Sequence, residues 1–276
     1  MGRFGRSWEL AKSSWSVLRA DLELLWLPVI SFAATLVTGA LFFVPIWAMS
    51  TTDDIDGSTS MSPLSWVLIA LAYVSLAYVT IFFNAALIHA ADERMRGGDP
   101  TVGSALRGAA GRAGAILPWA IVSATVSVIL RAIQERAGIL GRIVAGIAGI
   151  AWSLVTFLVL PILVIEGIGV GTAIKRSSEM FKRTWGEHVI ANAGIGLVSL
   201  VAILAGLPLL LLAASGVGVL AAVGIGAFVL WVGAVVAVTS ALSVIYQTAL
   251  YHYAVNGMPP EAFARVDLRN SFAAKR

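Results

Sequence analysis

From His188 to Pro260 the chain contains no Asp, Glu, Lys or Arg. A bilayer-spanning helix needs about 20 apolar residues, so this run is too long for one span and long enough for two. Ala214-Ser215-Gly216-Val217-Gly218 supplies the turn signals between them. The spacing predicts spans near 189–212 and 220–253.

The rest of the chain has the same character. It is 59% hydrophobic and only 12% charged, about half the charge of an average soluble domain. Further apolar runs predict spans at Leu24–Met49, Leu64–Ala91, Ala113–Leu130 and Ile139–Ile165. Pro28 and Pro45 fall near the ends of the first, where a missing N–H costs least. Glu9, Asp21 and Glu23 break the basic segment that a cleaved signal peptide would need. There is no cysteine, which removes disulfides, thiolate nucleophiles and thiolate metal ligands.

Between the spans lie amphipathic segments. Wound as a helix, Val170–His188 places Ile174, Ser178, Phe181 and Trp185 on one face and Lys175, Arg176, Glu179, Lys182 and Arg183 on the other. A basic face opposite a small apolar one marks a helix lying in a membrane interface. Arg6–Trp15 aligns without gaps on Arg176–Trp185, with Arg, Ser, Glu, Lys and Trp identical. Residues 4–20 are therefore expected to form a first interfacial helix, with Phe4, Trp8, Ala11, Trp15 and Leu18 facing lipid. A weaker third copy starts Val102-Gly103-Ser104-Ala105-Leu106-Arg107, against Val170-Gly171-Thr172-Ala173-Ile174-Lys175. The expected fold is an all-α membrane protein with six transmembrane helices. They form three repeats of interfacial helix plus helical hairpin, near 1–100, 101–168 and 169–258. All belong to one integral membrane domain, 1–276, with a polar tail at 259–276.

Loop charge orients this bundle. The N-terminal segment, the second and fourth loops and the C-terminal tail each hold four of the 19 Lys and Arg residues. The third loop holds Arg131, Arg136 and Arg142; the acidic first loop and the fifth hold none. Lys/Arg-rich loops stay cytoplasmic. Both termini are thus expected inside, in the cytoplasmic (inner) membrane, with the amphipathic helices forming a cytoplasmic collar. The net charge of +4 reads as this loop bias and not as nucleic-acid affinity.

Several segments resemble an uncharacterised prokaryotic membrane-protein family, a domain of unknown function. They are Leu87-Ile88-His89-Ala90-Ala91-Asp92-Glu93-Arg94 with Gly97-Gly98-Asp99-Pro100, Pro161 with Glu166, the Lys175–Trp185 helix, and Tyr246-Gln247-Thr248-Ala249-Leu250-Tyr251. More distantly, the hairpins look like the membrane domain attached to some glycerophosphodiester phosphodiesterases, an anchor without catalytic residues. The resemblance implies a fold and a location, and no reaction, ligand or catalytic residue.

Polar residues inside the spans are unevenly placed. Asn84, His89, Glu166, His188, Asn192, Gln247 and His252 all fall in the cytoplasmic half of the expected topology. Polar groups in hydrocarbon must face protein or water. They therefore define either a cytoplasm-facing vestibule or a set of interhelical hydrogen bonds. Glu166 is expected to need a partner among Arg94, Lys175, Arg176 and His89. The histidines, with Glu93, Glu166 and Glu187 nearby, include no two on one helix at ligand spacing, so no metal site is expected. No G-x-S-x-G, HExxH, P-loop or dinucleotide glycine pattern occurs in a fitting context, and no acid–base pair stands out within one span.

Small residues at four-residue spacing, Gly141, Ala145, Gly149 and Ser153, then Gly233, Ala237 and Ala241, predict close helix packing, within the bundle or in a homo-oligomer. Trp8, Trp15, Lys175, Arg176, Lys182, Arg183 and Trp185 are the expected lipid-interface residues. The basic ones suit anionic headgroups of the cytoplasmic leaflet. The expected function is a non-enzymatic scaffold, lipid-binding module or partner subunit without a cofactor; the rival is a transporter or channel using the vestibule.

Overall fold

A computed structural model describes residues 3–49, 51–52, 59–60, 62–136, 138–185, 200, 202–211 and 218–264. Helix α1 (Arg3–Ala20) leads through a 3-10 turn (Leu22–Leu25) into α2 (Trp26–Ala48). A two-residue antiparallel ladder pairs Thr51 with Ser60 and Thr52 with Thr59. Helix α3 (Pro63–Met95), α4 (Val102–Ala110), the hairpin α5 (Ala113–Arg136) and α6 (Gly138–Thr156), α7 (Val159–Ile165) and α8 (Val170–Trp185) follow. A 3-10 turn at Leu207–Leu211, the long α9 (Gly218–Asn256) and a last 3-10 turn (Glu261–Phe263) complete the described chain.

Among the described residues, five helical stretches are long and apolar enough to cross a membrane: Leu22–Ala48, Pro63–Met95, Ala113–Arg136, Gly141–Ile165 and Val219–Asn256. Most of the segment expected as another span, 189–212, lies outside the described residues, as does most of the turn at 214–218. The spans expose large apolar side chains along their length, Phe32, Leu36, Phe43 and Trp47 on α2 and Val229 and Leu230 on α9 among them. Water would penalise such a surface heavily, and hydrocarbon would not.

The helix ends follow from local chemistry. Ser62 caps α3 through its hydroxyl, which accepts from the Ser65 N–H at 3.3 Å, and Pro63 occupies the first helical position. Gly97, with φ +84°, closes the other end: its N–H donates to Arg94 O, and that of Gly98 to Glu93 O. The helix thus runs through Asp92-Glu93-Arg94, one turn beyond the expected end of the span. Similarly, Arg131–Arg136, expected as a connection, is the last part of α5, with Arg131 and Glu135 paired along the helix at 3.5 Å.

The chain divides into two compact units, one of 1–28, 90–102 and 180–276, the other of 29–89 and 103–179. In the first, α1 packs on α9 and on the last 3-10 turn. Val17, Leu18, Leu27, Ile245, Leu250 and Phe263 are buried there. Leu18 is fully buried, not lipid-facing as expected; Trp15 alone of the expected apolar face is seen exposed, since the side chains of Phe4, Trp8 and Ala11 lie outside the described set. Trp231 Nε1 donates to Ala202 O at 2.9 Å, and its indole fills the space where a side chain at Gly206 would sit.

In the second unit α5 packs on α6, with the rings of Trp119 and Trp152 stacked at 6.2 Å. Ala145 is buried and Gly149 faces Leu130, so part of the small-residue stripe serves this hairpin. Ser153 is exposed and bonds back to Gly149 O, so Trp152 takes the place expected for it in the seam. Gly233 of α9 faces open space.

The expected fourth span is broken. Pro161 has no N–H and its ring crowds the carbonyl four residues earlier, that of Phe157, which favours an interruption there. The interruption falls between α6 and α7, and Leu158–Val164 beyond it is wholly buried. Ser177 of α8 heals the break: its hydroxyl donates to Val155 O at 2.6 Å and accepts from the Leu158 N–H at 3.1 Å. Ser177 accordingly lies on the buried face of α8. Ala173, Ser177, Met180 and, as expected, Phe181 are buried, while Ile174 and Ser178, expected on the same face as Phe181, are only half-buried.

Two buried serines should behave oppositely. Ser177→Ala strands the Leu158 N–H and should lower stability by about 1–3 kcal/mol, seen as a lower Tm in detergent. Ser14 is equally buried, but its hydroxyl has no hydrogen-bond partner among the described residues. Ser14→Ala should leave Tm unchanged or raise it, since an unmade hydrogen bond is removed and helix propensity improves.

Candidate functional site: paired charges and an open cleft at the helix ends

In the first unit the ends of α3 and α9 both stop at left-handed glycines, Gly97 and Gly257. Each stop is followed by proline, Pro100 after α3 and Pro259-Pro260 after α9. Pro cannot continue a helix, so both chains leave the ends sharply. Two charge clusters occupy this region.

The first is built on Asp21, whose carboxylate is nearly fully buried at the junction of α1 and the following 3-10 turn. Arg94 meets it with a fork: Nε donates to Oδ2 and Nη2 to Oδ1. Nη2 also donates to the exposed Asp99 at 2.8 Å. A bidentate guanidinium satisfies a planar carboxylate better than an ammonium can, which explains Arg rather than Lys at 94.

The second is built on Asp92, which is also buried. Its Oδ1 accepts from Arg96 Nε at 3.1 Å and contacts His252 Nε2 of α9 at 2.8 Å. An ionised carboxylate only accepts, so the ring carries its proton on Nε2. His252 and Arg96 then border an open cleft of about 720 Å³, which Met95, Tyr251, Val255, Asn256, Met258, Pro259 and Pro260 complete.

A third pair belongs to the second unit. Glu166, just past α7, meets Arg176 of α8 at 3.0 Å, one of the four partners expected from sequence. Arg112 donates from Nε to Val164 O at 3.0 Å, placing positive charge at the C-terminal end of α7. Its guanidinium lies where a side chain at Gly167 would stand, and Gly167 has φ +69°. The left-handed backbone there favours glycine, and any side chain would also displace the Arg112 guanidinium.

The remaining expected residues fall as follows. Asn84 and His89 lie half-buried on α3, with the His89 ring against Gly108 of α4, where any Cβ would collide with it. Gln247 is half-buried on α9. His188 and Asn192 lie outside the described residues, and so do the side chains of Trp8 and Trp185. Lys175, Arg176, Lys182 and Arg183 are all exposed on α8, although Arg176 is engaged by Glu166 and Lys175 lies 4.0 Å from Glu179. Among the described residues no three His, Asp or Glu side chains converge as metal ligands would.

Sequence reasoning missed Asp21, Asp92, Arg94 and Arg96 as a set, using Asp92 and Arg94 for the family resemblance, Arg94 as a possible partner of Glu166 and Asp21 only against a signal peptide. The available signal was the rarity of ionisable residues at the ends of apolar runs, each of which needs a partner.

These helices, with apolar flanks and charges gathered in pairs at their ends, define a helical membrane protein. The chain belongs to a family of unknown function (DUF6159), whose model matches residues 64–260. No curated protein matches the chain significantly. The expected likeness to the membrane domain of glycerophosphodiester phosphodiesterases gains no support from these comparisons.

Removing one partner of the buried pair should cost more than removing both. Arg94→Leu leaves the Asp21 carboxylate buried and unpaired, at a cost of about 3 kcal/mol. Adding Asp21→Leu should recover a substantial part of that loss. A thermal-unfolding double-mutant cycle in detergent measures the difference.

Proposed function

We propose that the protein is a non-enzymatic integral membrane bundle of the inner membrane. It would act as a scaffold, lipid-binding module or partner subunit, with α1, α4 and α8 forming a cytoplasmic collar. In this reading six spans, one of them within 189–212, form three repeats with both termini in the cytoplasm. The observation that supports it most is the asymmetry of α8. Its inner face is buried on Ala173, Ser177, Met180 and Phe181, and its outer face leaves Lys182 and Arg183 exposed. Such residues attract anionic headgroups by about 1 kcal/mol each.

The pairing of the acidic groups favours this reading over a transporter. An interrupted span is a common substrate site in transporters, because its unwound backbone is free to bind. Here the break between α6 and α7 is closed by Ser177, and Glu166 is held by Arg176. Groups committed to each other stabilise the fold and leave less for a passing solute.

Thermal unfolding in nanodiscs tests the function. Phosphatidylglycerol should raise Tm relative to phosphatidylcholine, and Lys182→Gln with Arg183→Gln should reduce that rise. Equal stability in both lipids would remove the anionic-lipid role. Glu166→Gln should lower Tm and Glu166→Leu lower it more; a rise for Glu166→Leu would favour the transporter. Because the chain has no cysteine, single introduced cysteines report topology cleanly. An impermeant reagent added outside whole cells should label position 53 or 215 and spare position 96 or 176. Labelling of Arg176→Cys from outside would reverse the orientation.

A further inference from the structure

We infer that the cleft at the ends of α3 and α9 binds the phosphate-bearing head of an anionic amphiphile, with Arg96 as its anchor. The site differs from the α8 face and rests only on the membrane setting.

The charge of the cleft is the first argument. Arg96 and Asn256 border it, and among the described residues no carboxylate does. Asp92 stands behind the lining, its Oδ1 already bonded to Arg96 Nε and His252 Nε2. That contact uses only Nε, so both terminal amino groups of Arg96 remain without a partner among the described residues. Arg96 is well exposed, at 62%, yet its guanidinium is held at one edge by a buried carboxylate. A fork fixed in this way presents two parallel N–H donors, the arrangement that matches two phosphate oxygens. Asn256 adds an amide donor at the same rim.

Size and lining give the second argument. At about 720 Å³ the cleft lies within the ordinary range for small-molecule sites, and an inorganic phosphate would fill only part of it. Besides Tyr251 and His252, the rest of the wall is apolar. Val255 and Met258 are exposed, Met258 at 72%, and Pro259 and Pro260 continue the surface. Methionine adapts to irregular apolar ligands. A cation beside an apolar wall at the end of two membrane-spanning helices suits a molecule with a phosphate at one end and hydrocarbon next to it. Free phosphate and a phospholipid share the first contact; the apolar wall favours the phospholipid.

The test uses the full chain in neutral detergent. Titration calorimetry compares short-chain phosphatidic acid, short-chain phosphatidylcholine and inorganic phosphate. Phosphatidic acid should bind saturably at one site, and the other two at least tenfold more weakly. Arg96→Gln should weaken phosphatidic acid by about tenfold or more, and Arg96→Lys by less. Met258→Ser, at an exposed position, should weaken the phospholipid and leave inorganic phosphate unchanged. Met258→Ser should keep the wild-type Tm to within the small effects typical of surface substitutions; Arg96→Gln, which loosens the Asp92 contact, should lower Tm modestly, so its binding is measured well below its own Tm. Lys182→Gln with Arg183→Gln should leave this binding intact, which separates the cleft from the α8 surface. Equal affinity for phosphatidylcholine would overturn the anion site, as would unchanged binding to Arg96→Gln. Inorganic phosphate binding as tightly as phosphatidic acid would overturn the amphiphile.

Discussion

A carboxylate taken out of water must find a cation or lose its charge. Asp21 and Asp92 each meet this demand at the end of a membrane-spanning helix. The Asp21 carboxylate is bound by the Arg94 fork, and Asp92 by Arg96 and His252. The first contact ties the turn after α1 to the end of α3; the second ties the end of α3 to α9. Three sequence-distant segments of one unit are therefore held in register by two acids. Apolar side chains alone would not do this, because packing in a hydrocarbon solvent gains little from the hydrophobic effect. Directional polar contacts supply the specificity that burial cannot.

The same constraint shapes the other unit through the backbone. The helix is interrupted just before Pro161, and a broken helix in an apolar setting exposes N–H and C=O groups that no water can satisfy. Ser177 answers for both sides of it, and Arg112 serves a carbonyl at the far end of α7. The amphipathic α8 is thus more than a surface helix: one residue of its inner face completes a neighbouring span. Its buried face is centred where that hydroxyl is needed, not where its apolar residues alone would centre it.

The apolar runs were legible in the sequence because charge is so costly in hydrocarbon that its absence marks each span. The amphipathic period of α8 was legible for a related reason, and Glu166 was marked as needing a partner because an acid ending a span is conspicuous. What could not be read was pairing across distance. Asp21 and Arg94 stand 73 residues apart, and Asp92 and His252 stand 160 apart. Nothing local signals that such groups meet. The charged face of α8 is exposed and Phe181 buried as expected, but the burial of Ala173 and Ser177 was not legible, since the hydrogen bonds of Ser177 depend on a break in a different helix. Pro161 carried a readable signal of that break, and the continuous span expected from 139 to 165 ignored it.

The two acid clusters also differ in what they leave over. Arg94 spends its fork on Asp21 and a further amino contact on Asp99, so little of its charge is available to a ligand. Arg96 spends one nitrogen on Asp92 and presents the others to an open cleft. A residue serving only the fold would be expected to turn its donors inward, as Arg94 does. The economy of the Arg96 contact, together with the apolar wall beside it, makes 96 the position where a structural ion pair and a binding surface share one side chain.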